Sequence, residues 1–453
     1  MTVTPIVPKE KIQRDADSKL KVIIVGAGLG GLGAAIALLL AGHDVDVFEA
    51  ASEISEVGAG IQILPNSSRV LQTWGMLDEL SKYATKPSQV NMRHWKGEII
   101  SSLDFAASAA LYPGTFYWDF HRANLHKCLL QRAVELGART IVNARVSDVQ
   151  VSADGETATV VLHNGQRHTA DLVVGADGIN SRLREVMMGK ADPPTLTGDL
   201  AYRLLLSTKE MLKDPELATF VTNPQVNYWM GPDAHAVNYV LRGGELFNMV
   251  LLVPDDIPEG QNVTEGSVEE MRALYKDWDP RIPKLLSLCE SVSKWRLCIR
   301  TGMDTWSHPS GAFTMLGDAV HATLPYLASG AGMSLEDGAV LGEVFSRHPG
   351  PFTAQTKIQL LDIYQKIRGP RTETVVERGN TQQYLYHLHD GPEQEKRDAI
   401  MRSGGPGDAL AWKDSSFAPG LLGWVCEEEV DRYLPPMETE TATENENVAR
   451  SRL

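Results

Sequence analysis

Residues 22–42 form an uncharged run of 21 positions that contains six glycines. A run of that length can cross a bilayer, yet its glycines are not scattered. Val22-Ile23-Ile24-Val25 ends at Gly26-Ala27-Gly28-Leu29-Gly30-Gly31, and apolar sequence resumes up to Gly42. This grouping predicts a short buried strand, a tight turn and a helix closed by Gly42, not a membrane span. A second buried strand follows through Val45, Val47 and Phe48 and ends at Glu49. Together they form one β-α-β unit of about thirty residues.

The turn carries Gly-x-Gly-x-x-Gly, with Gly26, Gly28 and Gly31 at the fixed positions. Small residues let the backbone turn tightly and come close to a pyrophosphate. The N-terminus of the next helix then offers free N–H groups and a partial positive charge. Glu49 stands 21 residues beyond Gly28. A carboxylate at that strand end accepts hydrogen bonds from a ribose and repels a 2′-phosphate, which favours FAD or NAD over NADP as the bound dinucleotide. Read alone, the glycines also suit a structural turn or a methyltransferase cofactor loop.

Two further stretches bear on which dinucleotide is bound. Gly175-Ala176-Asp177-Gly178 follows the apolar Leu172-Val173-Val174, with Arg182 four residues past Gly178. Gly317-Asp318-Ala319-Val320-His321 follows the apolar 312–316, and Gly330, Gly332 and Ser334 surround the start of another helix. An aspartate at a strand end can bind ribityl hydroxyls, and a helix N-terminus beyond it can stabilise negative charge on a reduced flavin ring. Singly, each also suits a surface turn with a capping acid.

In this order and spacing, the three motifs resemble the class A flavoprotein monooxygenases, the aromatic-hydroxylase superfamily. The resemblance is to its salicylate-hydroxylase-like branch, which includes fungal enzymes of secondary metabolism, and it covers about residues 21–390. It implies an α/β fold: a Rossmann-like FAD-binding domain with an inserted β-sheet substrate domain and C-terminal helices. The implied layout is a polar leader (1–20), a discontinuous FAD-binding domain (21–190 and 291–348), a β-rich substrate domain (191–290), a helical region (349–436) and a disordered tail (437–453). FAD is implied as resident cofactor and NAD(P)H as transient co-substrate, since no second Gly-x-Gly-x-x-Gly marks a nicotinamide domain. By the same resemblance Glu49 binds the adenosine ribose, Asp318 the ribityl chain and Arg122 the phosphate and ribityl region. Gly60 and Ala331 meet the flavin through backbone, and Gly26, Gly28, Gly31, Asp177 and Gly332 complete the cofactor set. Arg122 also reads as a solvated arginine at a helix start.

On the substrate side, strands are expected near 200–207, 226–230, 235–241 and 245–253, forming a sheet that covers the flavin. Residues i and i+4 of a strand share a face, so His235 and Tyr239 can enter one pocket. Arg203 interrupts an apolar run, and burying it unpaired is costly. The resemblance implies that reduced FAD forms a C4a-hydroperoxide with O2, which hydroxylates a phenolic or salicylate-like aromatic. Arg203 would then help ionise the substrate, Tyr239 orient it and His235 assist by hydrogen bonding or proton relay. Pairing of Arg203 with a structural carboxylate, and an outward-facing His235 and Tyr239, remain open. Ala322 stands where relatives often have proline and Ser329 where glutamine is frequent, which keeps epoxidation or dearomatising oxygenation of an indole or polyketide as a second reaction. His321 reads as a structural loop residue.

A small antiparallel meander is expected over 141–169, and one or two long helices over 356–390, broken near Gly369-Pro370. With 43 Lys and Arg against 58 Asp and Glu, the formal charge is −15. Such a surface repels a phosphate backbone, so nucleic acid is not expected as a partner. Four separated cysteines without a C-x-x-C pair suggest neither a disulfide framework nor a metal site. A monomer or homodimer without stable membrane insertion is expected. The placement is cytoplasmic, or peroxisomal through the terminal Ser451-Arg452-Leu453, a variant of the S-K-L address.

Overall fold

A computed structural model describes residues 6–55 and 58–435 of the chain. Lys21–Val25 is buried at four of its five positions, as befits the central strand of a parallel sheet covered on both faces. The strand order is Phe313–Met315, Leu172–Gly175, Lys21–Val25, Asp44–Phe48, Arg139–Ile141, and every neighbouring pair is parallel. Register then does the assembling. Val25 sits beside Gly175 and Phe48, and Gly175 beside Met315. The loops that begin at Gly26, Glu49, Ala176 and Leu316 therefore leave from one edge, where ligands of open α/β sheets bind.

The helix Leu29–Leu40 covers this sheet and crosses the helix Gly330–Ser346 at close range. A Cβ on Gly338 would lie 2.7 Å from the Ala34 nitrogen, and one on Gly342 2.5 Å from the Ala37 Cβ. Glycine at both places lets the helices pack backbone to backbone. The expected meander is present as the antiparallel strands Val146–Val151, Ala158–Leu162 and Arg167–Ala170.

A second, eight-stranded sheet forms the other half of the molecule. The expected strands occur as Thr195–Ser207, Val226–Gly231, Ala234–Leu241 and Leu246–Pro254. The sheet is wider than the segment 191–290. It also takes Val292–Ile299 from beyond that segment and Gln89–His94 with Ile99–Asp104 from before it. Val226–Gly231 pairs in parallel with Gln89–His94, a contact over more than a hundred residues that strand patterning cannot reveal.

The expected break near Gly369-Pro370 does not occur: one helix runs from Ala354 to Tyr386 with Pro370 inside it. The missing proline N–H removes one helical bond, but tertiary ion pairs hold both sides of the site. Arg368 binds Asp337, and Arg371 binds Glu336. The described part of the expected leader packs beside the ends of the helices Leu29–Leu40 and Gly330–Ser346, where Arg14 donates to the carbonyls of Ala41, Phe345 and His348. The expected tail, with Ser451-Arg452-Leu453, lies outside the described residues. Among the described residues no helix is long and apolar enough to cross a membrane.

Candidate active site

The three glycines of the first turn act in different ways. A Cβ on Gly26 would lie 2.3 Å from the Ala176 oxygen, and one on Gly31 2.0 Å from the Gly26 oxygen, so both positions are closed by backbone. A Cβ on Gly28 would meet nothing within 4 Å: its open side faces a cavity. Gly28 precedes the helix Leu29–Leu40 and gives no side-chain cap. The first N–H groups of a twelve-residue helix are thus left for a ligand. Glu49 closes the turn, its carboxylate accepting from Ala27 N at 3.0 Å and Ala51 N at 2.9 Å. Each oxygen keeps a lone pair for a further donor.

A second uncapped helix points into the same cavity. Ser329 precedes Gly330–Ser346, yet its hydroxyl donates to the Leu327 carbonyl instead of capping the helix. Behind that N-terminus lies a buried charge network. Asp337 accepts from Gly317 N at 2.8 Å, His321 at 2.6 Å and Arg368 at 2.8 Å. Burial alone would push the Asp337 carboxyl up, but the His321 and Arg368 charges and hydrogen bonds hold it at about 2. Glu336 meanwhile takes Asn66 at 2.6 Å and Arg371 at 2.7 Å. The network fixes Gly317, and with it the exposed Asp318, against the start of the helix. His321 belongs to this scaffold.

The cavity measures about 630 Å³ and runs between the two sheets. Gly26, Gly28, Gly31, Glu49, Asp177 and Asp318 line it, and so do Gly60, Arg122 and Ala331. Arg203, His235 and Tyr239 face it from the second sheet. Strand register explains that last grouping, since Arg203 pairs with Val250, Val250 with Val237, and Val237 lies between His235 and Tyr239 on one face. Two expected residues behave otherwise. Gly332 is not on the cavity wall; a Cβ there would point at the Ser67 hydroxyl, 3.3 Å away. Asp177 lines the cavity, but its carboxylate accepts from Ser181 Oγ at 2.5 Å and Leu183 N at 3.0 Å, anchoring the helix Arg182–Met188.

Arg203 has no carboxylate partner among the described residues. Its guanidinium lies 4.9 Å from the Trp295 ring centroid. Burial lowers its pKa, Arg122 lowers it further, and Tyr239 opposes both. Burial also pushes the Tyr239 hydroxyl up, with Asp119 adding to the effect and Arg203 opposing it, and drives His235 well down. At neutral pH Arg203, Tyr239 and His235 therefore present a cation, a phenol and a neutral imidazole to the cavity. Tyr239 packs on Gly60, where a Cβ would fall 2.4 Å from its ring. Asn248 holds that turn by accepting from Gly60 N at 2.8 Å.

Trp295, Asn248 and His387 escaped the sequence reading. Trp295 gains its role from a neighbouring strand, Asn248 from the approach of Gly60 on a different sheet, and His387 from the docking of a distant helix end. Tyr228 and Tyr326 also line the cavity; Tyr228 alone carried a signal, from its alternation within an expected strand.

Residues 19–379 match the family model described as "FAD binding domain". Over 415 residues the chain is 41% identical to the FAD-dependent monooxygenase OpS4 of Beauveria bassiana (strain ARSEF 2860), covering 89% of this chain and 95% of that one. It is 31% identical over 414 residues to a 3-hydroxybenzoate 6-hydroxylase of Polaromonas naphthalenivorans (strain CJ2), covering 90% and 97%. A salicylate hydroxylase substrate complex superposes with a TM-score of 0.77 at 23% identity, covering 94% of this chain and all of that one, a likeness of fold. Two uncapped helix N-termini, an open glycine cradle and a poised carboxylate on one cavity suit a dinucleotide of this kind. The chain belongs to the FAD-binding-domain family and is an FAD-dependent monooxygenase.

Proposed function

We propose that this monooxygenase hydroxylates a phenolic or salicylate-like aromatic ring, with NAD(P)H as transient reductant and O2 as oxygen source. The observation that carries the reading is Arg203, a half-buried arginine on the cavity wall without a carboxylate partner among the described residues. It shares a cavity wall with Val237, Val250, Leu252 and Leu297. A cation in such a wall is costly until an anion reaches it. Ionising a phenol of pKa about 10 near neutrality requires about 4 kcal/mol of anion stabilisation. One charge at about 4 Å supplies about 4 kcal/mol at an effective dielectric near 20, so one arginine suffices. The ring class agrees with the name of the 3-hydroxybenzoate 6-hydroxylase relative.

Arg203 binds the substrate oxygen as it ionises. Tyr239, kept protonated by burial, donates to that oxygen and orients the ring. His235, kept neutral by burial, accepts the proton. For the cofactor, Glu49 takes the adenosine ribose, Arg122 the phosphate and ribityl region and Asp318 the ribityl chain, with Gly60 and Ala331 against the flavin. Bound and reduced, FAD supplies an electrophilic oxygen derived from O2. The enclosing sheet excludes water, which would otherwise divert that oxygen to hydrogen peroxide.

The test is turnover of 3-hydroxybenzoate, salicylate and non-phenolic indoles under labelled O2, with mass analysis of the products. One labelled oxygen in a phenolic product is expected. Oxygenation of the indoles alone would replace the phenolic reading with epoxidation or dearomatisation. We place the enzyme in the cytoplasm; a tagged protein that leaves peroxisomes on loss of Leu453 would overturn that placement in favour of the terminal tripeptide.

A further inference from the structure

His235 lines the cavity, and its Nδ1 lies 2.7 Å from Nε2 of His387, which is not on the cavity wall. His387 follows directly on the helix Ala354–Tyr386. Its Nδ1 lies 3.7 Å from Asp199 Oδ2, an oxygen that also accepts from the Tyr326 hydroxyl. Backbone ties the same place together, Asp233 N donating to the His387 carbonyl at 3.1 Å. His235 is 1% exposed, whereas the His387 side chain is 12% exposed. Two imidazoles in series therefore connect the cavity with solvent.

A base that merely needed a fixed ring orientation would be served by a carbonyl or carboxylate behind it. A second imidazole can also receive a proton and release one from its other nitrogen. Burial lowers both rings, which keeps the resting pair neutral, and a charge on His387 further disfavours one on His235. The charged groups facing the pair are Asp199 and Asp233, and both favour the protonated form of His387. The other facing groups are phenols: Tyr326 and Tyr386 edge-on to His235 at 4.8 and 5.3 Å, and Tyr228 stacked at 6.3 Å. The Tyr275 hydroxyl donates to the His235 carbonyl. The electrostatic gradient runs outward.

We propose that His387 is the exit of a two-histidine proton relay, taking the proton that His235 removes from the substrate hydroxyl and releasing it at the protein surface. The inference rests on the phenolic reading given above. The substrate O–H bond breaks as a proton joins Nε2 of His235. The His235 Nδ1–H bond breaks as His387 Nε2–H forms, and the Nδ1 proton of His387, on the side of Asp199, passes to water. No electrons change hands, and the phenolate stays beside Arg203.

The test uses FAD-loaded enzyme and 4-nitrophenol, whose neutral and ionised forms differ in absorbance, at a pH where the free probe is mostly neutral. Stopped-flow absorbance reads ionisation of the bound probe, and an indicator dye reads proton release. His387→Gln keeps a hydrogen-bonding partner for His235 but cannot carry a proton; His387→Ala leaves space that added imidazole can fill. At unchanged flavin content and probe affinity, H387Q is expected to slow ionisation and release at least tenfold, and imidazole to restore both in H387A. Wild-type rates in H387Q, or no rescue in H387A, would overturn the relay while leaving the phenolic reading intact. A wild-type enzyme that binds no 4-nitrophenol, or binds it only neutral, would overturn both.

Discussion

The Arg203 guanidinium stacks 4.9 Å from the Trp295 ring centroid, on strands that are antiparallel neighbours. An aromatic face steadies a cation without neutralising it. Arg203 is thereby held in place with its charge still available to a substrate anion.

Arg203→Ala is expected to lower kcat/KM for the phenolic substrate by at least a hundredfold, equivalent to about 3 kcal/mol of lost anion stabilisation. FAD content, read from flavin absorbance, should stay at the wild-type level. Lysine should restore only part of the rate, because a compact ammonium cannot stack on Trp295 as a planar guanidinium does. Undiminished hydroxylation in the alanine variant would remove Arg203 from the mechanism.

Gly31→Ala is expected to give protein without bound flavin. The added methyl would lie 2.0 Å from the Gly26 oxygen, and that overlap can be relieved only by opening the turn at the helix N-terminus. Gly28→Ala meets no protein atom, so it should leave the melting temperature of the apoprotein unchanged yet weaken FAD retention. Titration of the two apoproteins with FAD separates these outcomes.

Asp337→Asn should cost about 1–3 kcal/mol, because it weakens the hydrogen bonds from Gly317, His321 and Arg368 while Arg368 keeps its buried ion pair with Glu336. The wild-type carboxyl is held at about 2, below the unfolded value of about 3.9. The folded state therefore binds this proton more weakly than the unfolded chain. The resulting stabilisation, about 2–3 kcal/mol, is complete above about pH 5 and is lost as the pH falls towards 2. Denaturant titrations between pH 7 and pH 3 should show that loss in the wild type and a smaller one in the asparagine variant.

Asp177→Ala is expected to act on stability. Removing the carboxylate leaves Ser181 Oγ and Leu183 N without their acceptor, a cost of about 1–3 kcal/mol. A lower melting temperature in the apoprotein would show this directly, since no cofactor is then present to lose. An unchanged apoprotein that no longer retains FAD would instead place Asp177 at the ligand.

The first β-α-β unit was legible because its signals are local. Val22 to Val25, the glycines and Glu49 lie within thirty residues and obey one geometry. His235 and Tyr239 were legible as a pair because a strand repeats every two residues. Arg203 stood out as a charge in an apolar run, but whether a carboxylate paired with it depended on which strands became its neighbours. The helix through Pro370 was misread for a related reason. Local propensity argues for a break, and the ion pairs that hold the helix together come from Glu336 and Asp337 on another helix.

The glycine turn, the carboxylate at the second strand end and the order of the three motif loops follow from local sequence, since each depends on residues close together in the chain. That Arg203 rests on Trp295 without a counter-ion among the described residues, that Asp177 accepts from a helix start, and that His387 stands behind His235 emerges from the packing of distant segments. Those outcomes depend on strand register and helix docking between distant segments. The energies that select them come from burial and pairing between those segments, which no local pattern encodes.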